Sequence, residues 1–468
     1  MHGRAAHVDR FVCAFGTDSC SQWQRSACFT SRKKRYGILM FFSAFSALLI
    51  ATALTAAALG AALGLTGFIL LQVFANGATS IAVNAIWNVF NSFTLSAIPL
   101  FILLGEILLH SGLSQRAYTA FRPAFARVPG GLLHTNIAVC TLFGAISGSS
   151  MSTAAAVGSV AYPEMAKRGY DKATVVGSLA GGGTLGLLIP PSLAFLIYGA
   201  LTDTSIGKLF ISGVLPGLMV AVLFMTYLLV RCLQNPALYP KDDERLPWGK
   251  IVLGSLRIWP VIVLIMAVMG SIVLGYATPT ESAGVGVVFA IAIAFVWGEL
   301  TLPKLIDSVM RSALVFASIG FVVLGATVLA QSASVLGVPQ ALLEAALATG
   351  LGRYEVLAIV VLTYLILGCF FDGLSLMVMT LPLVFPLMMK LGFDPVWFGV
   401  VITILIEIGQ ITPPVGLNLS VLTVMTKGEV SLGRAATAAM PYWLILLVTI
   451  LLLTLFPMIA TFLPNQLM

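Results

Sequence analysis

Runs of about 20 apolar residues recur along most of this chain, and such runs cross a bilayer as helices, because a helix satisfies its own backbone polar groups in hydrocarbon. The spacing predicts crossings near 41–75, 93–110, 208–230, 258–276, 282–299, 312–333 and 440–463. Two further regions, 132–200 and 355–420, are as apolar but interrupted by Gly, Ser and Pro. Composition agrees: 59% of the 468 residues are hydrophobic and 9% charged, whereas soluble domains carry about 25% charged residues.

The formal net charge of +7 resembles a nucleic-acid signal but is local. Residues 1–39 hold Arg4, Arg10, Arg25, Arg32, Lys33, Lys34 and Arg35 against Asp9 and Asp18, so the tail supplies +5 of it. Residues 1–39 read as a disordered extension, or as an upstream start with Met40 as the true initiator. Cys13, Cys20 and Cys28 lie in that tail, and Cys140, Cys232 and Cys369 lie in or beside apolar runs. No C-x-x-C occurs, which argues against a zinc or redox site, and no metal cofactor is expected.

Lys and Arg in loops orient the spans. Four clusters fit one cytoplasmic face: Arg116, Arg122 and Arg127; Lys167, Arg168 and Lys172; Arg231, Lys241, Arg245, Lys250 and Arg257; Lys304 and Arg311. That placement requires 132–165 to enter and leave on the same side.

An internal repeat sharpens this reading. A shift of 223 residues lays 147–196 over 370–419 without a gap. Ten of fifty positions match: Ser152/Ser375, Pro163/Pro386, Met165/Met388, Lys167/Lys390, Gly169/Gly392, Asp171/Asp394, Gly186/Gly409, Pro190/Pro413, Pro191/Pro414 and Leu196/Leu419. The inferred topology makes the copies run in opposite directions. Inverted repeats of this kind build secondary transporters whose sites lie near the bilayer midplane.

The expected fold is therefore an all-α polytopic membrane protein with two re-entrant hairpins and two broken helices. In the first hairpin, Ser147-Gly148-Ser149-Ser150 separates the runs 135–146 and 151–165. Arms of about 15 residues span about 22 Å, enough to reach the midplane but not to cross with a loop. A loop at that depth is tolerated where protein or a polar site satisfies its backbone. Hydroxyls and freed carbonyls there suit a small cation; the alternative is a Gly/Ser helix-packing patch.

The second tip places Asp372 opposite Ser149 and Gly373 opposite Ser150. A carboxylate inside the membrane costs about 2.5–3.5 kcal/mol on insertion scales, and no Lys or Arg is near it in sequence. Asp372 is expected to ligate sodium; the alternative is a buried acid bonded to backbone. The stretches 181–192 and 407–416, with Pro190-Pro191 and Pro413-Pro414, are expected to unwind. Unwinding frees carbonyls for a cation and leaves half-helix N-termini suited to an anion.

At these residues the chain resembles the large membrane subunit of tripartite ATP-independent periplasmic (TRAP) transporters. The motifs are Asn91-Ser92-Phe93, Ile98-Pro99-Leu100-Phe101 with Gly105-Glu106, Arg127-Val128-Pro129-Gly130-Gly131, Gly144-Ala145-Ile146-Ser147-Gly148-Ser149-Ser150, and Ile189-Pro190-Pro191-Ser192 with Tyr198-Gly199. Leu215-Pro216-Gly217, Thr278-Pro279-Thr280-Glu281 and Thr412-Pro413-Pro414-Val415-Gly416-Leu417-Asn418 follow in the family's order.

The resemblance implies a sodium-driven importer of a small organic acid in the bacterial inner membrane, not an enzyme. It implies a periplasmic solute receptor and a separate small four-helix membrane subunit as partners. It also implies an elevator-type transport domain, with halves at 132–205 and 355–425. Scaffold would come from 40–131, 206–354 and 426–468. By the same resemblance, one sodium would sit at Ser147, Ser149 and Ser150 with carbonyls around 183–187, including Gly183 and Gly186. A second would sit at Asp372 and Gly373 with carbonyls around 410–412, including Gln410 and Thr412. Substrate would touch Ser150, Ser192, Thr412 and Asn418. The basic, Cys-containing tail departs from the family and favours the Met40 start.

Other polar residues stay open. Glu407 tunes the second site or pairs with scaffold; Glu106 and His110 contact the small subunit or cap their span; Glu281 caps a helix or takes part in function. A stand-alone sodium-coupled dicarboxylate symporter is the alternative function. An intramembrane aspartyl protease would need a second aspartate at depth, and a channel would need a continuous pore.

Overall fold

The computed structural model describes residues 59–75, 77–240, 258–348 and 350–468, with Ser43 and Ala47. The 1–39 extension, the candidate start at Met40, most of the first half of the 41–75 span, and Lys241, Arg245, Lys250 and Arg257 lie outside the described residues.

Among those described, helices follow one another with short connections. They are α1 (Leu59–Phe74), α2 (Ser80–Phe90), α3 (Ala97–His110), α4 (Leu113–Phe125), α5 (Leu132–Ser147), α6 (Ser150–Lys167) and α7 (Lys172–Leu188). Next come α8 (Leu193–Thr202), α9 (Ile206–Gln234), α10 (Trp259–Val273), α11 (Pro279–Val296), α12 (Leu302–Val335) and α13 (Val338–Ala348). The last six are α14 (Arg353–Gly368), α15 (Gly373–Lys390), α16 (Pro395–Gln410), α17 (Leu417–Met425), α18 (Leu432–Leu455) and α19 (Met458–Leu467). Among the described residues, α9, α11, α12, α15, α18 and the α7–α8 pair taken together are long and apolar enough to cross a membrane, as the all-α polytopic reading expects.

Several boundaries moved. The expected 440–463 crossing is α18, which begins at its Ser431 cap and ends at Leu455. Pro457 follows, cannot continue the ladder, and starts the short α19. The expected 93–110 crossing is a 3-10 turn, Thr94–Ser96, running directly into α3. The amphipathic α4, rich in polar residues, was not anticipated. Glu281 caps: its carboxylate accepts from Thr278 N at 2.8 Å, and Thr278 Oγ1 accepts from Glu281 N at 3.3 Å.

The chain forms two compact units. One comprises the described residues up to Trp87 with those of 324–351. Its helices meet through glycine: a Cβ added at Gly67 would lie 2.7 Å from Leu329 N. Small residues allow this approach, as at membrane helix crossings.

The second unit, the described residues of 88–323 with 352–468, holds both repeat copies. Every residue from Thr174 to Leu188 of α7 and from Val396 to Gln410 of α16 is buried, so these two helices form its centre. Each hairpin folds back as expected. Asn136 on α5 donates to Met165 Sδ on α6 at 3.3 Å, and Tyr364 on α14 bonds Thr380 on α15. α15 is long and apolar enough to pass for a crossing helix, yet it is the second arm of a hairpin.

The copies exchange parts. α17, which follows the second break, packs on α6 of the first hairpin, and α8, which follows the first break, packs on α15 of the second. Tyr198 on α8 donates to Pro395 O at 2.7 Å, while Glu429 beyond α17 accepts from Tyr162 OH at 2.5 Å and pairs with Lys172 at 3.0 Å.

Candidate functional site

The first tip is two residues long. Gly148 ends α5 in the left-handed region, at φ 59°, which glycine adopts without penalty. Ser149 is extended and caps α6, its hydroxyl accepting from Ser152 N. The second tip spans 369–372, and Asp372 caps α15 in the same way, its Oδ2 accepting from Ser375 N at 3.1 Å and Ser375 Oγ at 3.2 Å. Helix N-termini favour such oxygen acceptors. The repeat identity Ser152/Ser375 is thus the residue that each cap receives from, and this bond to backbone at Ser375 N is the alternative role open to Asp372.

Each tip is stitched by one main-chain bond to the chain just past its Pro-Pro pair. Leu193 N donates to Gly148 O at 3.3 Å, and Val415 N donates to Cys369 O at 3.2 Å. Both Pro-Pro bonds are cis.

One expectation is corrected. The glycine run 181–186 does not unwind; α7 continues through it to Leu188, and only 189–192 is non-helical. The glycines serve close packing instead. A Cβ at Gly144 would lie 2.8 Å from Gly186 Cα, one at Gly186 would lie 2.7 Å from Ser149 O and Thr153 Oγ1, and one at Gly183 would lie 2.9 Å from Ala154 Cβ and 3.3 Å from Ser150 O. The second half repeats this: a Cβ at Gly368 would lie 2.9 Å from Gly409 Cα. Likewise α16 stays helical through Gln410, and the second break covers 411–416.

The first tip is hydroxyl-rich, with Ser147, Gly148 and Ser150 buried and Ser149 half-buried. Ser147 Oγ bonds Thr153 Oγ1 at 2.6 Å and lies 3.2 Å from Ser149 O. Thr153 is fully buried and was missed; only its place one turn into α6 hinted at it. Ser150 is buried and donates to Glu407 Oε1 on α16, across 257 residues of sequence.

At the second tip, Gly373 lies against Gln410, whose Nε2 would be 3.0 Å from an added Cβ. Thr412 Oγ1 bonds Ile408 O at 2.9 Å and lies 3.7 Å from Cys369 Sγ. Ser192 spends its hydroxyl on Leu187 O, a carbonyl freed by the first break.

Thus Ser147, Ser149, Ser150, Gly183 and Gly186 come together, as do Asp372, Gly373, Gln410 and Thr412 in part through Cys369. Asn418 is fully buried in the first turn of α17. Four buried polar atoms on α16 and α17 have no hydrogen-bond partner: Glu407 Oε2, Gln410 Oε1, and Asn418 Oδ1 and Nδ2. Buried polar groups are almost always paired; among the described residues Glu106 Oε2, Tyr118 OH, Asn136 Oδ1 and Tyr442 OH are likewise unpaired.

Residues of α3 complete the picture. Gly105 on α3 touches the first tip, since a Cβ there would lie 2.9 Å from Ser147 O. Glu106 and His110 turn to α12 instead: His110 Nδ1 lies 3.2 Å from Ser308 Oγ and its Nε2 lies 3.7 Å from Asp307.

Comparison with known proteins places this geometry. The family model for the tripartite ATP-independent periplasmic transporter, DctM component, matches residues 46–459. The C4-dicarboxylate TRAP transporter large permease protein DctM of Pseudomonas aeruginosa is 34% identical over 410 residues, covering 86% of this chain and 94% of that protein. The ectoine/5-hydroxyectoine TRAP transporter large permease protein UehC of Ruegeria pomeroyi is 30% identical over 373 residues, covering 79% and 86%. Among solved structures, the Alcanivorax borkumensis YdaH transporter has the same fold, with a TM-score of 0.57 at 15% identity over 90% of this chain and 98% of that one. This chain belongs to the DctM family and is a multi-pass inner-membrane TRAP transporter large permease, a transport protein.

Proposed function

We propose that the chain imports a small organic acid, driven by the sodium gradient, with the acid delivered by a periplasmic solute receptor and a separate small membrane subunit completing the complex. One observation carries this reading: two capped tips, each set against a broken helix, with buried oxygen and amide atoms left unpartnered between α16 and α17. Hydroxyl, carbonyl, carboxylate and amide oxygens are the donors that hard cations prefer. The first sodium would take Ser147, Ser149, Ser150 and carbonyls near Gly183 and Gly186. The second would take Asp372, Gly373, Gln410 and Thr412. Substrate would lie near Ser150, Ser192, Thr412 and Asn418, with its carboxylate at the half-helix starts of α8 and α17. The hairpin halves, 132–205 and 355–425, would move together as an elevator.

Relatives named for C4-dicarboxylates and for ectoine stand at similar distance, which supports a carboxylate-bearing substrate without selecting one. Co-reconstitution with the small subunit in liposomes tests the proposal. An inward sodium gradient and loaded receptor are expected to drive uptake, and removing either should stop it. Uptake of free acid by this chain alone would favour the stand-alone symporter.

A further inference from the structure

Glu407 is fully buried one turn from the end of α16, and among the described residues no cation pairs with it. Its carboxylate accepts from the Ser150 hydroxyl at the opposite copy's tip and also meets the main chain of Leu187 on α7. The repeat supplies an internal control. The matching residue, Thr184 on α7, is equally buried but bonds its own helix, donating to Gly181 O at 2.6 Å. The helical frame therefore needs no carboxylate at this position, and the link from helix to opposite tip exists in one direction only. Gln410, on the next turn of α16, lies against Gly373 of the other tip. One turn of α16 thus touches both tips.

A serine hydroxyl has one proton and two lone pairs. Committing the Ser150 proton to Glu407 fixes the hydroxyl rotamer and leaves the lone pairs facing away from the carboxylate. It also polarises the oxygen towards negative charge, as carboxylates do to metal ligands they hydrogen-bond. We propose that Glu407 is a positioning residue that orients and polarises Ser150 as a cation ligand, so that the second repeat sets the sodium affinity of the first. This rests on the sodium reading above. The carboxylate acts through Ser150 and ligates nothing itself.

The test is sodium-dependent thermal stabilisation of the purified full chain without substrate, titrated with sodium chloride against choline chloride. Glu407→Ala is expected to raise the sodium midpoint about 10–100-fold, the usual effect of losing a ligand's hydrogen-bond partner. Glu407→Gln keeps an oxygen acceptor without the charge and should fall between wild type and Glu407→Ala. Ser150→Ala should shift the midpoint as well, and in that background neither Glu407 substitution should shift it further. A purely structural clasp would lower the melting temperature in choline and leave the sodium midpoint in place, which would overturn the proposal. Additive shifts of the two sites would overturn it too. If Glu407→Ala does not fold, the Glu407→Gln and Ser150→Ala pair carries the same cycle. Absence of any sodium-specific stabilisation in the wild-type chain would instead defeat the sodium reading itself.

Discussion

The two repeat copies share a frame and differ in chemistry. In both, an aligned residue caps the second hairpin arm (Ser149, Asp372) and another caps the broken helix (Asp171, Asp394). In both, a glycine with positive φ ends that arm (Gly169 at 84°, Gly392 at 78°), and the next residue bonds back to the Met165 or Met388 carbonyl. This is the helix-ending arrangement that glycine favours. The environments then part. Ile189 to Ser192 are buried, whereas Pro413 to Val415 are exposed. The first tip is short and built of hydroxyls, with Gly148 buried and Ser149, like Asp372, half-buried; the second is longer and carries Phe370 at 61% exposure. Identity across the repeat tracks backbone geometry, and divergence tracks what each tip offers a ligand.

The sharpest way to break this comparison is Asp372→Asn. Asparagine caps helices about as well as aspartate, so α15 should survive while the tip loses its charge. Sodium-dependent uptake is expected to be abolished with expression and melting temperature kept. Full transport would reduce Asp372 to the equal of Ser149, a cap.

Next come the glycine contacts common to both halves. Gly186→Ala and Gly409→Ala each push a methyl into main chain, within 2.7 Å of Ser149 O and 2.8 Å of Gly368 Cα. Overpacking of this kind costs about 1–3 kcal/mol, so both variants should melt earlier, to a similar extent. A large difference would mean that the halves pack less alike than they look.

Ser149→Ala should cost about 1 kcal/mol through its lost cap, while Ser149→Asp, which copies the second tip, should retain the stability. Denaturation midpoints of the two variants against wild type decide this.

The smallest effect concerns the clasp at Glu429. Tyr162 OH and then Lys172 hold its carboxyl below the usual value of 4.5. A depressed folded pKa stabilises above the unfolded pKa, and that contribution is lost as pH falls through the folded one. Melting temperatures of wild type and Glu429→Gln should therefore differ slightly near neutral pH and converge below about pH 4.5. The first copy's counterpart, Tyr198 on Pro395 O, carries no carboxyl and should show no such convergence.

Much of this molecule was legible in one dimension. Apolar run length demanded helices in a membrane, and the 223-residue shift located both tips and both breaks. Pro190-Pro191 and Pro413-Pro414 end helices because two successive residues lack a donor, whereas the single prolines Pro163 and Pro386 lie inside helices. Asp171 and Asp394 cap because their carboxylates reach an N–H three residues on. Such effects act within one helical turn, so local sequence contains them whole.

The rest was decided by packing. Gly183 and Gly186 looked like sites of unwinding, but neighbouring helices press against them and their helix persists. Thr153 carried no local mark, and the exchange of α8 and α17 between copies had none either. Nor did Ser150 announce Glu407. A hydrogen bond across 257 residues has no imprint in sequence spacing, since it exists only once two helices from opposite copies are laid side by side.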